Sequence, residues 1–314
     1  MPNWEELTIR TASDDLLLLS RSTRQFFVCN WLTRQWWLAL PEVPPLNKFA
    51  GDQRVFDEDA VGSFGFAIVR DPVDDDGRRR YKVVLIYRCC FELVDYSFFA
   101  AIFDSEIGRW TVIKRFFIPF PGKRVDMLSI TSLQIAIASN GLLHWLDGRI
   151  RLEGLFVFDP FLLKSRFVRL PRGSVTFFGY FHVRLGVVRG RVRLSIMQLA
   201  HKSCVLKVWE LDSDSYTWLL VHRLDFGITA DGDGDGGGGL FFMLAFDPHD
   251  GNVLFLVRGE HIFRYEIEHN KYEKICEFPC NGQPIDLKER RIATYLKVST
   301  LMHPLWPTLS LPST

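Results

Sequence analysis

Long apolar runs are missing from this sequence. No segment approaches the roughly 18 continuous apolar residues that a membrane helix needs, and local candidates such as LFFMLAF at 240–246 are strand-sized. Leu16 to Leu19 follow Glu5, Glu6, Asp14 and Asp15, the wrong charge for a secretory leader. An excess of charge of one sign is missing as well. With 38 basic against 37 acidic residues and a net charge of +1, the chain has no bulk attraction to nucleic acid or to an anionic membrane, so neither is expected as a partner. Cysteine is sparse: Cys29, Cys89, Cys90, Cys204, Cys276 and Cys280 show no paired framework, and no Asn-x-Ser/Thr sequon occurs. Reduced thiols in the cytoplasm or nucleus are the expectation. Helical patterning is also scarce. No stretch of 12 or more residues reads as an amphipathic helix, although 281–291 could hold a short turn of one.

What the sequence does have is a phrase that returns five times: a short apolar strand, an acid or amide, a few turn-forming residues, and an aromatic near the start of a second strand. It reads FFVCNWLTRQWWLALP at 26–41, AAIFDSEIGRWTVIKRF at 100–116, LFVFDPFLLKSRFVRLP at 155–171, LKVWELDSDSYTWLLVHRL at 206–224 and IFRYEIEHNKYEKICEF at 262–278. Asn30, Asp104, Asp159, Glu210 and Glu266 mark the turns, at spacings of 74, 55, 51 and 56 residues. Periods near 50 belong to propeller-type repeats, whose units are small antiparallel sheets unable to bury their faces alone. Asp or Asn at a strand end bonds the backbone two residues on and starts a turn, and Gly108 can supply a positive φ. Trp36, Trp110, Tyr216 and Tyr272 each fall six residues after their marker, placed to pair with Phe27, Phe103, Trp209 or Tyr265. In the third copy the returning aromatic, Phe167, comes two residues late.

The expected fold is all-β: a β-propeller-like stack of four-stranded antiparallel blades, about six by length and five by clear copies. At 47% hydrophobic with 27 Phe and 9 Trp, the composition is ample for a large core. Runs such as YKVVLIYRCC (81–90), LQIAIAS (133–139) and NVLFLV (252–257) are rich in β-branched and aromatic residues, and many strand runs are continuously apolar, as expected where neighbours cover a strand on both faces. Asn140-Gly141 and Arg189-Gly190 read as hairpin turns. Trp110, Trp145 and Trp209 hold strand positions and are expected to be buried between blades. Residues 41–59, 71–80 and 229–239 read as surface loops. A single domain over 1–314 is expected, with 1–15 as an N-terminal extension and 307–314 as a tail.

Chemical motifs are weak. Asp231, Asp233, Asp235 and Gly236 open like a calcium loop, but position twelve is Phe242 where a bidentate Glu is needed, so a flexible acidic connector is the better reading. Gly232, Gly234 and Gly237 spell G-x-G-x-x-G ahead of a strand, where a phosphate site needs a helix N-terminus. His201 and Cys204, and Cys276 and Cys280, lack metal-ligand spacing. There is no G-x-S-x-G elbow, and His144 beside Trp145 reads as a blade residue. No catalytic residue, cofactor or metal is assigned. The residues singled out for partner binding are Arg184, Arg189, Arg191 and Arg193. Strand alternation puts Arg191 and Arg193 on one face, where guanidiniums could read acidic or phosphorylated segments, although an ordinary charged edge is the competing account.

In order along the chain, VCNWLTRQWWLALP, FGFAIVRDP, YKVVLI, AIFDSEIGRW, SNGLLHWL, FVFDPF, VRLPRG, LGVVRGRVRL, LKVWELDSDSYTWLLVH, AFDPHDGNVLFL and YEIEHNKYEKICEF resemble the F-box-associated, kelch-like interaction region of plant F-box proteins. The resemblance spans about Leu16 to Leu305. It implies a non-enzymatic propeller that binds substrate proteins for an SCF-type ubiquitin ligase. Such proteins usually carry an F-box of some 40 residues ahead of the propeller for docking on a Skp-family adaptor, and MPNWEELTIRTASDD is too short to hold one. Adaptor binding is therefore expected only if the full gene product supplies an F-box. A free-standing binder or decoy without ligase connection is the alternative, and a propeller enzyme a more distant one.

Overall fold

In the computed structural model, residues 7–13, 15–22, 24–33, 35–44, 65–70, 80–88, 97–117, 136–146, 154–171, 181–200, 203–227, 241–258 and 261–277 are described. They form twenty strands and, among the described residues, no helix. The strands fall into two compact units. The first holds β1 (Thr8–Ser13), β2 (Leu16–Ser20), β3 (Phe26–Asn30) and β4 (Gln35–Ala39); β5 (Gly65–Arg70), β6 (Tyr81–Arg88), β7 (Ser97–Asp104) and β8 (Arg109–Phe117); and β9 (Ile137–Ser139), β10 (Leu142–Leu146), β11 (Gly154–Asp159) and β12 (Lys164–Arg169). The second holds β13 (Phe181–Val188), β14 (Arg191–Ala200), β15 (Ser203–Leu211) and β16 (Trp218–Gly227), then β17 (Phe242–Phe246), β18 (Val253–Arg258), β19 (His261–Glu266) and β20 (Lys271–Glu277). Each group of four is an antiparallel sheet in which strands pair strictly in chain order. Five sheets match the five clear copies of the phrase; the sixth that length allowed is not among the described residues.

The phrase is the last hairpin of each sheet. Asn30 Oδ1 accepts from the amides of Leu32 and Thr33, Asp104 Oδ1 from that of Glu106, and Asp159 Oδ1 from those of Phe161 and Leu162, all within 2.8–3.1 Å. In the fourth sheet the turn starts two residues later than the expected marker. Asp212 accepts from Asp214 and Ser215, while Glu210 lies inside β15. Four residues after Asp104, Asp159, Asp212 and Glu266 stands a residue in the left-handed region: Gly108, Leu163, Tyr216 and Asn270, with φ between 48° and 70°. The amides of Gly108 and Tyr216 each donate to the carbonyl four residues back, closing the loop. Asn140-Gly141 and Arg189-Gly190 take positive φ at both positions, the I′ geometry that suits a two-residue hairpin.

Aromatic pairing follows where the loop length permits. Phe103 faces Trp110 and Tyr265 faces Tyr272 across their hairpins, and Phe156 faces Phe167 with ring centroids 5.2 Å apart. Phe27 instead meets Ala39, and Trp209 meets Leu220 because Tyr216 is used in the turn.

Strand alternation then builds two cores around the second sheet. Val83, Leu85 and Phe103 pack with Leu18, Phe26 and Val28 of the first sheet; Val84, Ile86 and Ile102 pack with Leu143, Trp145, Phe156 and Phe158 of the third. Within the second unit, Met197, Leu206 and Val208 pack with Met243, Leu254 and Leu256. The first strands of neighbouring sheets lie side by side, β5 between β1 and β9, and β13 against β17. Phe246 of β17 sits so close to Gly186 of β13 that a Cβ there would meet its ring at 2.5 Å.

Trp145 and Trp209 are buried as expected. Trp110 is only half-buried, because its indole N–H reaches the rim and donates to Pro41 O at 2.6 Å while its ring meets Phe26 edge-on. Cys29 and Cys204 are buried free thiols and Cys276 an exposed one. Burial pushes Cys204 up to about 11. The loops at 45–59, 71–79 and 229–239, the Asp231 to Gly237 motifs, and Cys89, Cys90, His201 and Cys280 lie outside the described residues.

Candidate recognition surface

Two of the four singled-out arginines, Arg189 and Arg193, bond one feature of the second unit, the β17–β18 turn, and a third, Arg191, joins Arg193 through Glu210. Asp247 organises that turn by accepting from the amides of His249 and Asp250. Arg189 donates its backbone amide to Pro248 O and its Nε to His249 O, each at 2.8 Å. Arg193, its side chain only 11% exposed, donates Nη1 to Gly251 O at 2.8 Å and closes on Glu210 through Nε at 3.0 Å and Nη2 at 2.9 Å. Arg191 lies on the same face, as strand alternation requires, and donates Nη1 to the other Glu210 oxygen at 2.8 Å while its head stays 71% exposed. Arg184 is apart from this group, half-buried opposite Ser195 in β13–β14, and burial pushes its pKa down.

The electrostatics follow from this clamp. Burial alone would raise the Glu210 carboxyl, but the bonds and charges of Arg191 and Arg193 outweigh it and hold the group below its ordinary range. His222 Nε2 lies 3.1 Å from Gly251 O, so that nitrogen carries a proton and donates; burial first, and the Arg193 charge second, push the ring's pKa down. A Cβ on Gly251 would stand 2.8 Å from the Arg193 guanidinium. Arg189 and Arg193 are thus committed to fastening one sheet to its neighbour. Arg191, bonded to Glu210, presents most of its head to solvent.

The first unit presents a different surface, one that composition did not reveal. Ile107, Leu162 and Leu163 are exposed at 56%, 65% and 54% on the last turns of the second and third sheets. The two turns meet at Lys82, whose Nζ is 3.1 Å from Asp104 Oδ2 and 5.0 Å from the centroid of the Phe161 ring. Burial raises the Asp104 carboxyl less than Lys82 and the amides of Glu106 and Ile107 lower it, so it stays ionised. Leu219 and Leu220 on β16, and Tyr272 and Ile275 on β20, are exposed in the second unit.

His144 is buried in β10 and pushed down to about 4 by burial, so it is a neutral core group at ordinary pH. Among the described residues no three of His, Cys, Asp and Glu come together as metal ligands would.

A family model described as "F-box protein At3g26010-like, beta-propeller" matches residues 2–279. The chain belongs to that family. Its five four-stranded sheets are the blades of an F-box-protein β-propeller. Comparison with curated proteins found none that matches. Solved structures that it resembles include an oligogalacturonate lyase in complex with manganese, at 8% identity and a TM-score of 0.46 over 91% of this chain and 67% of that one. Another is the extracellular domain of a putative one-component system from B. thetaiotaomicron, at 10% identity and a TM-score of 0.37 over 85% and 30%. Both likenesses are too loose to bear on what the propeller does.

Proposed function

We propose that this propeller is a non-enzymatic protein-interaction module that holds substrate proteins for an SCF-type ubiquitin ligase, in the cytoplasm or nucleus. The observation that carries the reading is the match to an F-box-protein propeller family along most of the chain. The geometry supports it, because the exposed features are those of a docking surface: apolar side chains on turn tips and a solvent-facing guanidinium. In such a division of labour the propeller selects the protein, and recruitment of a Skp-family adaptor belongs to an F-box. The test is affinity capture with the purified chain, followed by binary binding of a captured protein. The expected result is a stoichiometric complex, and transfer of ubiquitin to that protein once an F-box is fused to the chain and the remaining ligase components are supplied. Turnover of a small molecule with no stoichiometric protein partner would overturn the reading.

A further inference from the structure

The left-handed position of the last turn is filled by Gly108 in the second blade and Asn270 in the fifth, residue types for which that conformation is cheap, and by the half-buried Tyr216 in the fourth. The third blade places Leu163 there, next to Leu162, and both side chains stand in solvent. Neither turn geometry nor core packing requires a leucine at either place. Across Lys82, Ile107 makes a third exposed apolar group on the adjoining turn. Directly behind these tips come Arg109 and Lys164, both exposed and without an ion pair among the described residues, whereas Lys82 and Arg80 are paired with Asp104 and Glu106.

We propose that Ile107, Leu162 and Leu163, with Arg109 and Lys164 behind them, form the docking surface for a partner-protein segment that carries a large apolar side chain flanked by carboxylates. The inference rests on the protein-interaction reading above and deepens it by naming the class of segment. Apolar tips remove the partner's side chain from water, and Arg109 and Lys164, exposed and with no ion pair among the described residues, give the approach its sign preference. An anionic membrane is the other surface that apolar tips and cations can meet, but recognition of that kind draws on clusters of roughly four to eight basic residues. Two cations at these tips, on a chain of net charge +1, favour a peptide segment.

The experiment uses the whole chain and an array of synthetic 12-residue peptides with a central Leu or Phe flanked by Asp and Glu, with Lys-flanked and Ser-centred counterparts. Acidic apolar peptides are expected to bind. Affinity should fall at least tenfold in the double variant Leu162→Ser with Leu163→Asn, and the double variant Arg109→Glu with Lys164→Glu should shift preference to the Lys-flanked set. Asn suits the left-handed position, so thermal melts of the first variant should match the parent. Absence of binders, equal binding of Lys-flanked peptides, affinities untouched by the variants, or variant-sensitive binding to phosphatidylserine vesicles in place of peptides would each overturn the proposal. A captured protein that binds parent and tip variants equally would sink this surface and leave the interaction reading standing; lack of any protein complex would sink both.

Discussion

Neighbouring blades are fastened by an indole in the first compact unit and by a guanidinium in the second. Trp110 donates one neutral hydrogen bond to Pro41 O and packs its ring edge-on against Phe26. Arg193 reaches Gly251 O only because Glu210 neutralises it, and Glu210 is held in turn by Arg191. A neutral donor on an aromatic ring keeps most of its value when the bond is lost, since the ring still excludes water. A buried cation does not, because losing either partner strands a charge in a place of low dielectric.

The sharpest break in the comparison is Arg193→Met. Removing one member of a buried, hydrogen-bonded pair costs about 3 to 5 kcal/mol, and because Glu210 retains Arg191 we expect the lower end, read as a fall in denaturation midpoint. Arg191→Ala, removing the exposed partner of the same carboxylate, should move the midpoint far less. Equal effects would show that the clamp is not directed at Gly251.

Acid should separate the two units next. His144 has its folded pKa pushed from 6.5 down to about 4, so its contribution is fully present above pH 6.5 and is lost as pH falls toward 4. At about 1.4 kcal/mol per unit this is on the order of 3 kcal/mol, and His144→Asn should flatten the loss of melting temperature between pH 7 and pH 5. His222 is lowered as well and adds to the second unit in the same direction. The clamp itself acts later: the Glu210 pKa is depressed from 4.5, so its stabilisation holds above that value and fades below it. A parent and a His144→Asn variant with parallel melting curves across that range would refute the assignment.

Gly251→Ala comes third. Its methyl would lie 2.8 Å from the Arg193 guanidinium, and displacing a side chain bonded at both ends should cost about 1 to 3 kcal/mol. In an Arg193→Met background that penalty should largely vanish, a coupling that a double-mutant cycle reads directly. Trp110→Phe comes last: it keeps a ring beside Phe26 and Phe103 but loses the bond to Pro41 O, for about 1 kcal/mol in thermal or denaturant melts.

Much of the fold was legible because the turns are local. Asn30, Asp104 and Asp159 accept the backbone amides that their residue types predict, and Asn140-Gly141 makes the hairpin that its pair favours. Glu210 misled because the fourth phrase carries three acids, Glu210, Asp212 and Asp214; Asp212, with a short side chain, takes the turn, and Glu210 is left for the arginines. The row of arginines was visible, but its use was not: which carbonyl of the next blade faces Arg193 depends on packing, not on spacing. Leu162 and Leu163 read as ordinary apolar residues, since exposure is a tertiary property. Their exposure on the turn tip is what sets them apart.

The strict chain order of every sheet has a consequence for how the polypeptide reaches its native state. Each ladder joins a strand only to its sequence neighbours, so closing it requires short loops and no wait for distant segments. A ribosome delivering the chain from its N-terminus can release one finished meander before the next emerges, and the slow step is left to the docking of meanders already formed.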